Sequence, residues 1–400
     1  MKLESLLAAL AFAAAGLLAT PAHANDAPSP ALAADTRQLD EVISRHMQES
    51  GIAGVGAAIL VNREVVWMKG YGFADRATAA PFTPDTVMNI GSISKTVTGV
   101  ALMRAVQEGR LSLDADINTY LPFKVVNPHY PDAPITLRQL ATHTSSITDR
   151  RTVYRDSYRY GDAAPEPLGV FLESYFVQGG AHYAAENFLA VEPGAHRDYS
   201  NIGAGLAGYV VERATGETLA EYSRRLIFDP LGMRNTGWSL AEVDRNKHAT
   251  LYVGQYGLSV PIPHYEVATY PDGGVRTSVS DLSRLFTALL NDGAVDGVRI
   301  LDERLAREML RFHYTPVRKP DNVNLEEKNS GIFWQSKFNV TRMGHGGIDP
   351  GIHTEMLSSL SRDIGVILFV NTSLTGEDAL AHVRIFEALW KHAEEIKASR

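Results

Sequence analysis

The chain has 400 residues, of which 45% are hydrophobic and 21% are charged, a balance typical of a globular protein with a large core. Its formal net charge is −8 and no block of basic residues stands out, so we do not expect a nucleic-acid partner. Cysteine is absent, which excludes disulfides, thiolate metal sites and a cysteine nucleophile together.

The first residues have the pattern of an export signal. Lys2 precedes an apolar run over residues 6–20 that is rich in alanine and leucine, and an A-x-A cleavage site ends at Ala24. The run is too short to span a membrane comfortably. We therefore predict a signal peptide over residues 1–24 and a linker over residues 25–35. The mature protein is expected to be exported, periplasmic or secreted, without a stable membrane span.

The first part of the mature sequence predicts a helix, two strands and a second helix. Apolar residues recur at helical spacing over residues 36–50, and Gly51 can end that helix. Residues 52–60 and 65–71 have the pattern of two strands joined by a turn. Residues 92–108 predict the second helix.

The rest of the chain changes from helical to strand-like patterns. Residues 111–275 are mostly helical in pattern, with many turns. Four later segments alternate or run apolar as strands do, namely residues 332–335, 338–343, 352–357 and 365–371. Residues 376–396 predict a terminal amphipathic helix.

Strands at both ends of the chain can form one antiparallel sheet only if the middle is an insertion. We therefore predict an α/β (α+β) fold with an antiparallel sheet flanked by the N- and C-terminal helices. The sheet domain is discontinuous, over residues 36–95 and 276–400. An all-helical domain is inserted over residues 96–275.

Ser92 and Lys95 form an S-x-x-K pair that occurs once in the chain. Residues at i and i+3 share a helix face, so the ammonium group can reach the hydroxyl. Ser92 lies in the first turn, where free N–H groups and the helix dipole favour developing negative charge. The helix is apolar on most sides, so we expect burial to lower the pKa of Lys95 toward that of a base. This pattern is typical of an activated nucleophile.

A second motif, Tyr199-Ser200-Asn201, is the only Y-x-N in the chain. A tyrosine hydroxyl beside a cation can relay a proton. An asparagine amide can donate and accept, so it can hold a substrate amide and a lysine at once. On its own, the motif fits a surface turn with a half-buried tyrosine at least as well.

A third motif, His345-Gly346-Gly347, follows the strand predicted over residues 338–343. Its glycines would let a substrate backbone approach the strand edge closely. The alternative is a glycine-rich turn, which the nearby Asp349-Pro350-Gly351 also favours.

Taken in order, the three motifs resemble the active-site motifs of the penicillin-recognising serine enzymes. That superfamily includes serine β-lactamases, D-Ala-D-Ala carboxypeptidases, D-amino-acid peptidases and related esterases. The resemblance covers about residues 38–395. Its flanking segments are residues 108–114, 120–122, 135–138, 142–146, 230–233, 273–274 and 280–282.

The resemblance implies a role for each catalytic residue. Ser92 attacks the substrate carbonyl, and Lys95 and Tyr199 share the proton transfers. Asn201 orients Lys95 and the substrate amide. The oxyanion hole would consist of the backbone N–H groups of Ser92 and Ile348.

The third motif separates this chain from the β-lactamases of the superfamily. His345 stands where relatives usually have Lys or His, and Gly346, Gly347 and Ile348 complete the substrate-binding edge. The class A set is S-x-x-K, S-D-N and K-T-G, which this chain does not match. Without the lysine of K-T-G, we do not expect efficient β-lactam hydrolysis. If the substrate carries a carboxylate, the imidazolium form of His345 should bind it better than the neutral form.

The resemblance implies a serine hydrolase that forms an acyl-enzyme on Ser92 and uses no cofactor. A peptidase acting on cell-wall-type peptides that contain D-amino acids is the favoured prediction. The alternatives are an esterase, a weak β-lactamase, or a penicillin-binding sensor that hardly turns over. The thirteen histidines show no ligand spacing, so we expect no metal, and no pattern indicates an oligomeric state.

Residues 150–184 are rich in arginine and tyrosine. They predict either a solvated lid or a wall of the cleft that recognises an acidic or aromatic group.

Overall fold

The computed structural model describes residues 36–400, so the predicted signal peptide and linker lie outside the described residues. The α-helices in this part of the chain are α1 (Arg37–Ser50), α2 (Ser94–Gln107), α3 (Leu137–Ala141), α4 (Arg151–Arg155), α5 (Leu168–Phe176), α6 (Asn201–Thr215), α7 (Leu219–Ser223), α8 (Val279–Leu290), α9 (Glu303–Leu310) and α10 (Leu380–Ala398). None of these helices combines the length and apolar character needed to cross a membrane.

The strands of the same region form one large sheet and several small ones. They are β1 (Gly54–Val61), β2 (Glu64–Asp75), β3 (Ala80–Pro81), β4 (Met88–Asn89), β5 (Tyr158–Tyr160), β6 (Leu251–Gln255), β7 (Leu258–Ile262), β8 (Tyr265–Val267), β9 (Arg276–Thr277), β10 (Ala294–Val295), β11 (Val298–Arg299), β12 (Gln335–Lys337), β13 (Arg342–Asp349), β14 (Ile352–Ser359), β15 (Ile364–Val370) and β16 (Thr372–Leu374).

The large sheet joins the two ends of the chain. Its seven strands follow the order β12-β13-β14-β15-β1-β2-β3, and each neighbouring pair is antiparallel. Residues at every position of β1 are buried, so both faces of the sheet are covered. Helix α8 packs on β1, β2 and β15, and α10 packs on α1 and β15. The predicted antiparallel α+β fold is confirmed.

Local sequence signals explain most of the element boundaries. Asn62 and Arg63 connect β1 to β2 with φ values of 53° and 69°, as in the two-residue turns that match strand twist. Gly51 ends α1 in the left-handed conformation, with φ of 71°. Between the two groups of sheet strands lie α2 to α7 and also β5 to β8, short strands that the sequence patterns missed. The division into two domains stays a prediction.

The prediction of a strand over residues 338–343 is wrong. Phe338, Asn339 and Val340 all have positive φ and reverse the chain between β12 and β13. The ring of Phe338 stacks on Phe386 of α10, with 6.1 Å between the ring centroids. Phe338 is therefore apolar because it packs between a turn and a helix. The alternation of apolar residues alone cannot distinguish such a turn from a strand.

Asn371 links strands of the large sheet to β6 just after β15 ends. Its Oδ1 accepts from the N–H of Gly54 at 2.7 Å, and its Nδ2 donates to the carbonyls of Phe73 and Thr250, both at 3.1 Å. The side chain is fully buried, so no water is available to bond these backbone groups in its place.

We predict that Asn371→Ala lowers the free energy of unfolding by about 2–4 kcal/mol, because it strands buried backbone groups without partners. Urea unfolding followed by circular dichroism measures the loss. The exposed Asn246→Ala is the control and should change stability by less than about 0.5 kcal/mol. Equal effects of the two substitutions would contradict this role of Asn371.

Candidate active site

Ser92 lies in a single 3₁₀ turn, Gly91–Ile93, that leads directly into α2. Gly91 has a φ of 53°, a left-handed conformation that glycine adopts with little strain. The hydroxyl of Thr354 donates to the carbonyl of Ile90 at 2.8 Å and fixes the turn against β14. Ser92 is partly exposed to the cleft, whereas Ile93 and Lys95 are buried.

Lys95 joins three parts of the chain beneath Ser92, the predicted nucleophile. Its Nζ donates to Ser92 Oγ at 3.0 Å, to Asn201 Oδ1 at 2.7 Å and to the backbone carbonyl of Asp272 at 2.9 Å. An ammonium group has three protons, and here each has an acceptor. The lysine side chain is fully buried, so this arrangement fits the charged form.

The ionisation of Lys95 differs from the sequence-based prediction. Burial on its own would lower the pKa, but the negative charges available on Tyr199, Asp272 and Asp349 outweigh burial and raise it above its ordinary value. The prediction of a lowered pKa for Lys95 is therefore wrong in its net direction. The raised pKa favours the charged form of Lys95 in the resting site.

The second motif is held in place by residues that carry no local sequence signal. Ser200 is the N-cap of α6, and Asp149 accepts from Ser200 Oγ and from the N–H of Asn201, both at 2.7 Å. The ring of Tyr199 packs on His143, with 4.3 Å between centroids, and lies with its centroid 5.0 Å from Lys95 Nζ. The motif is therefore part of a buried network and not a surface turn.

His345 is a neutral, internally bonded side chain. It is 2% exposed, and burial together with the charge of Lys95 holds its pKa well below the ordinary value. Arg197 donates to Gln335 Oε1 at 3.1 Å, which orients the amide so that its Nε2 donates to His345 Nε2 at 2.8 Å. His345 Nδ1 then donates to the carbonyl of Gly346 at 2.7 Å. Both ring nitrogens are engaged within the protein, and the lowered pKa disfavours the imidazolium form near neutral pH.

The glycines of the third motif lie within β13 and not at its end. β12 pairs only with Arg342–Gly344, so β13 extends beyond its neighbour toward the cleft. A Cβ built on Gly347 would lie 2.1 Å from the carbonyl oxygen of Ile90, so glycine is required for the strand to approach the nucleophile turn. Ile348 is 69% exposed, and its predicted contribution to the oxyanion hole stays a prediction.

One cleft of about 320 Å³ brings the three motifs together. It is lined by Ser92, Tyr154, Tyr199, Asn201, Gln335, Lys337, His345, Gly346, Gly347, Ile348, Asp349 and Glu355. Lys95 lies beneath it and contacts Ser92. The cleft is thus lined by every predicted site residue except Lys95, by Tyr154 of the Arg/Tyr-rich segment, and by four residues that the sequence patterns did not identify.

Two buried acids lie next to Lys95. Burial raises the pKa of Asp272 to about 7 and that of Asp349 to about 6, although the charge of Lys95 opposes both shifts. Tyr154 donates to Asp272 Oδ1 at 2.8 Å and Tyr158 donates to Asp349 Oδ1 at 2.6 Å. These tyrosines belong to the Arg/Tyr-rich segment, which therefore supplies a wall of the site.

The comparisons with known proteins identify the family of the chain. The family model described as Beta-lactamase matches residues 39–389. The chain belongs to the Beta-lactamase family and is a serine hydrolase. Esterase EstB from Burkholderia gladioli is 30% identical over 282 residues, which cover 63% of this chain and 69% of that protein. Protein flp from Staphylococcus aureus (strain N315) is 27% identical over 262 residues, which cover 64% of this chain and 49% of flp, about half of its length.

Solved structures show the same fold. The octameric penicillin-binding protein homologue from Pyrococcus abyssi matches with a TM-score of 0.70 and 24% identity, over 90% of this chain and 77% of that chain. The D-amino acid amidase from Ochrobactrum anthropi SV3 matches with a TM-score of 0.67 and 21% identity, over 89% of this chain and 99% of that chain.

We predict that Asp272 makes the protein less stable as pH rises from about 4 to about 8. The folded protein keeps the proton of Asp272 up to about pH 7, whereas the unfolded chain releases it near the ordinary pKa of 3.8. This contribution is complete below pH 4 and is lost as pH rises through 7. Relative to Asp272→Asn, the wild type should lose up to about 4 kcal/mol across this range.

Urea unfolding at four pH values between 4 and 8 measures the difference between the two proteins. The exposed Asp132→Asn should follow the wild-type curve. A constant difference between wild type and Asp272→Asn would show that Asp272 does not titrate in this window.

Proposed function

We propose that the protein is an esterase that forms an acyl-enzyme on Ser92 with small, uncharged esters. The observation that carries this proposal is the neutral state of His345, whose two ring nitrogens are both bonded within the protein. At this position, a cation would attract the carboxylate of a β-lactam or of a peptide ending in D-alanine. A neutral imidazole without a free nitrogen offers such a carboxylate no charge and no hydrogen bond.

The other charges of the cleft support the same substrate class. The ammonium of Lys95 is bonded to Ser92, Asn201 and the Asp272 carbonyl. Among the described residues that line the cleft, Lys337 is the one cation, and its Nζ lies 3.9 Å from Glu355 Oε1. The arginines of the Arg/Tyr-rich segment are not among the lining residues. A neutral ester needs none of these charges to bind.

The proposed reaction has two acyl-transfer steps. Ser92 Oγ attacks the ester carbonyl, and its proton passes through Tyr199 to the leaving oxygen, which departs as an alcohol. Water then attacks the acyl-enzyme, its proton returns through Tyr199 to Ser92, and the acid leaves. The ammonium of Lys95 stabilises the negative charge that develops on the two hydroxyl oxygens.

The similarity to esterase EstB of Burkholderia gladioli also supports an ester substrate. The predicted signal peptide over residues 1–24 supports a place outside the cytoplasm. A peptidase on peptides that contain D-amino acids remains the second candidate. Lys337 favours it, because this partly exposed cation lines the cleft and could turn from Glu355 to a substrate carboxylate.

We predict that Ser92→Ala reduces ester turnover by more than about 10³-fold, because loss of a nucleophile normally costs many decades in rate. The test compares kcat/KM for p-nitrophenyl acetate and butyrate, a D-Ala-D-Ala peptide, a D-aminoacyl amide and nitrocefin. A fluorophosphonate probe followed by mass spectrometry should place its adduct on Ser92.

Ser94→Ala is a matched control for this experiment, because Ser94 is the first residue of α2, directly after the turn that contains Ser92, and its Oγ accepts from the N–H of Val275. It should retain the adduct. An adduct on another residue, or activity above about 1% in Ser92→Ala, would overturn the assignment. A burst without steady turnover on every substrate would favour the penicillin-binding sensor.

We predict that His345→Lys lowers KM for the D-Ala-D-Ala peptide but leaves KM for the neutral ester within about twofold, because only the peptide carries a carboxylate. The wild-type KM for the ester should be flat between about pH 5.5 and 8.5, a range that brackets the ordinary imidazole pKa. His345→Gln, a neutral replacement, separates the effect of charge from that of shape.

A wild-type KM for the peptide that rises as pH passes about 6.5, together with a preference for that peptide, would contradict the neutral His345. That outcome would favour the peptidase candidate.

A further inference from the structure

A second polar cluster lies on the face of β13 and β14 that points away from the turn containing Ser92, and its member Glu355 also reaches the margin of the cleft. Thr354 contacts the nucleophile turn through its hydroxyl. Successive residues of a strand point to opposite faces, so its neighbours His353 and Glu355 face the other way. There they meet His382 of α10, and one ligand atom from each of the three residues lies within 4.8 Å of the others.

The cluster contains buried polar atoms without partners. His382 is 4% exposed, and neither of its ring nitrogens has a hydrogen-bond partner. Oε2 of Glu355, which is 8% exposed, has none either. Buried polar groups are almost always bonded, because an unmade hydrogen bond costs free energy. An imidazole and a carboxylate that share one unsatisfied site therefore point to a ligand.

We propose that His353, Glu355 and His382 bind a divalent transition-metal ion of the Zn²⁺ type. Two histidines and one glutamate are a known zinc ligand set that leaves a fourth position for water. The proposal reverses the expectation from the sequence that no metal binds. The ligands have no recognisable spacing in the sequence, because His382 comes from α10 and the other two come from β14.

The present geometry is close to what such an ion needs. Bonds of about 2.0–2.1 Å in a tetrahedral site put the ligand atoms about 3.4 Å apart. The rings of His353 and His382 are stacked, with 3.3 Å between centroids, so one ring must tilt out of the stack for both rings to direct a nitrogen lone pair at the same ion.

The site adjoins the cleft through Glu355. The carboxylate lies against Gly346, where a Cβ would be 2.5 Å from Oε2, and the exposed Ile348 pairs with His353 across the strands. Lys337 competes with an ion for Glu355, since its Nζ is 3.9 Å from Oε1. A bound ion would hold α10 to β14 and change the charge beside the cleft, without taking part in the Ser92 reaction.

The test is a Zn²⁺ titration of the full chain, prepared without a polyhistidine tag and stripped with a chelator, in competition with a chromophoric chelator. We expect one equivalent to bind. His382→Gln and Glu355→Gln should each weaken binding by more than about 100-fold, since even outer partners of metal ligands cost about 10–100-fold. Zn²⁺ should raise the Tm of the wild type but not that of His382→Gln.

His392→Gln is the matched control, because His392 is a buried histidine of the same helix outside the cluster. It should bind Zn²⁺ within about twofold of the wild type. Lys337→Met should tighten binding, because it removes the cation that competes for Glu355.

Co²⁺ provides an independent readout, since its visible absorption reports the coordination number of the bound ion. A spectrum of low coordination number in the wild type and its loss in Glu355→Gln would support the site even if His382→Gln is unstable. Equal Zn²⁺ affinity in the wild type and all cluster variants would overturn the proposal, as would no saturable binding by the wild type.

Discussion

A buried ammonium group organises the active site. Lys95 is fully enclosed, and an unpaired charge in such a place would cost several kcal/mol. Its three acceptors come from the nucleophile turn, the start of α6 and the loop that contains Asp272. These segments are distant in sequence, so the three hydrogen bonds that one side chain donates fix their relative positions. The buried acids that balance its charge are part of the same constraint.

The strand β13 makes close contacts on both of its faces. Gly347 allows close contact with the carbonyl of Ile90, whereas Gly346 leaves room for the carboxylate of Glu355. Any side chain at Gly347 would push the strand away from the nucleophile. A change of charge at Glu355 therefore acts on the strand that forms the cleft edge, which couples the proposed metal site to the substrate site through the backbone.

The sequence was sufficient where the signal is local. The spacing of Ser92 and Lys95, the hairpin at Asn62 and the terminal helices follow from neighbouring residues. Asp272 and Asp349 could not be found this way, because their effect on Lys95 depends on tertiary contacts. The direction of the lysine pKa was wrong for the same reason. Burial could be inferred from an apolar helix, whereas the compensating acids could not.

The identity of residue 345 decides which charge the cleft edge can present to a substrate. A lysine here would present a permanent charge to the substrate. The imidazole instead completes a chain from Arg197 through Gln335 to the carbonyl of Gly346. This series of hydrogen bonds engages both ring nitrogens of His345 and orients the peptide group at the cleft edge. The position therefore shapes the strand at the cleft edge, and under the proposed esterase function we expect selectivity to depend on the size and polarity of the acyl group more than on its charge.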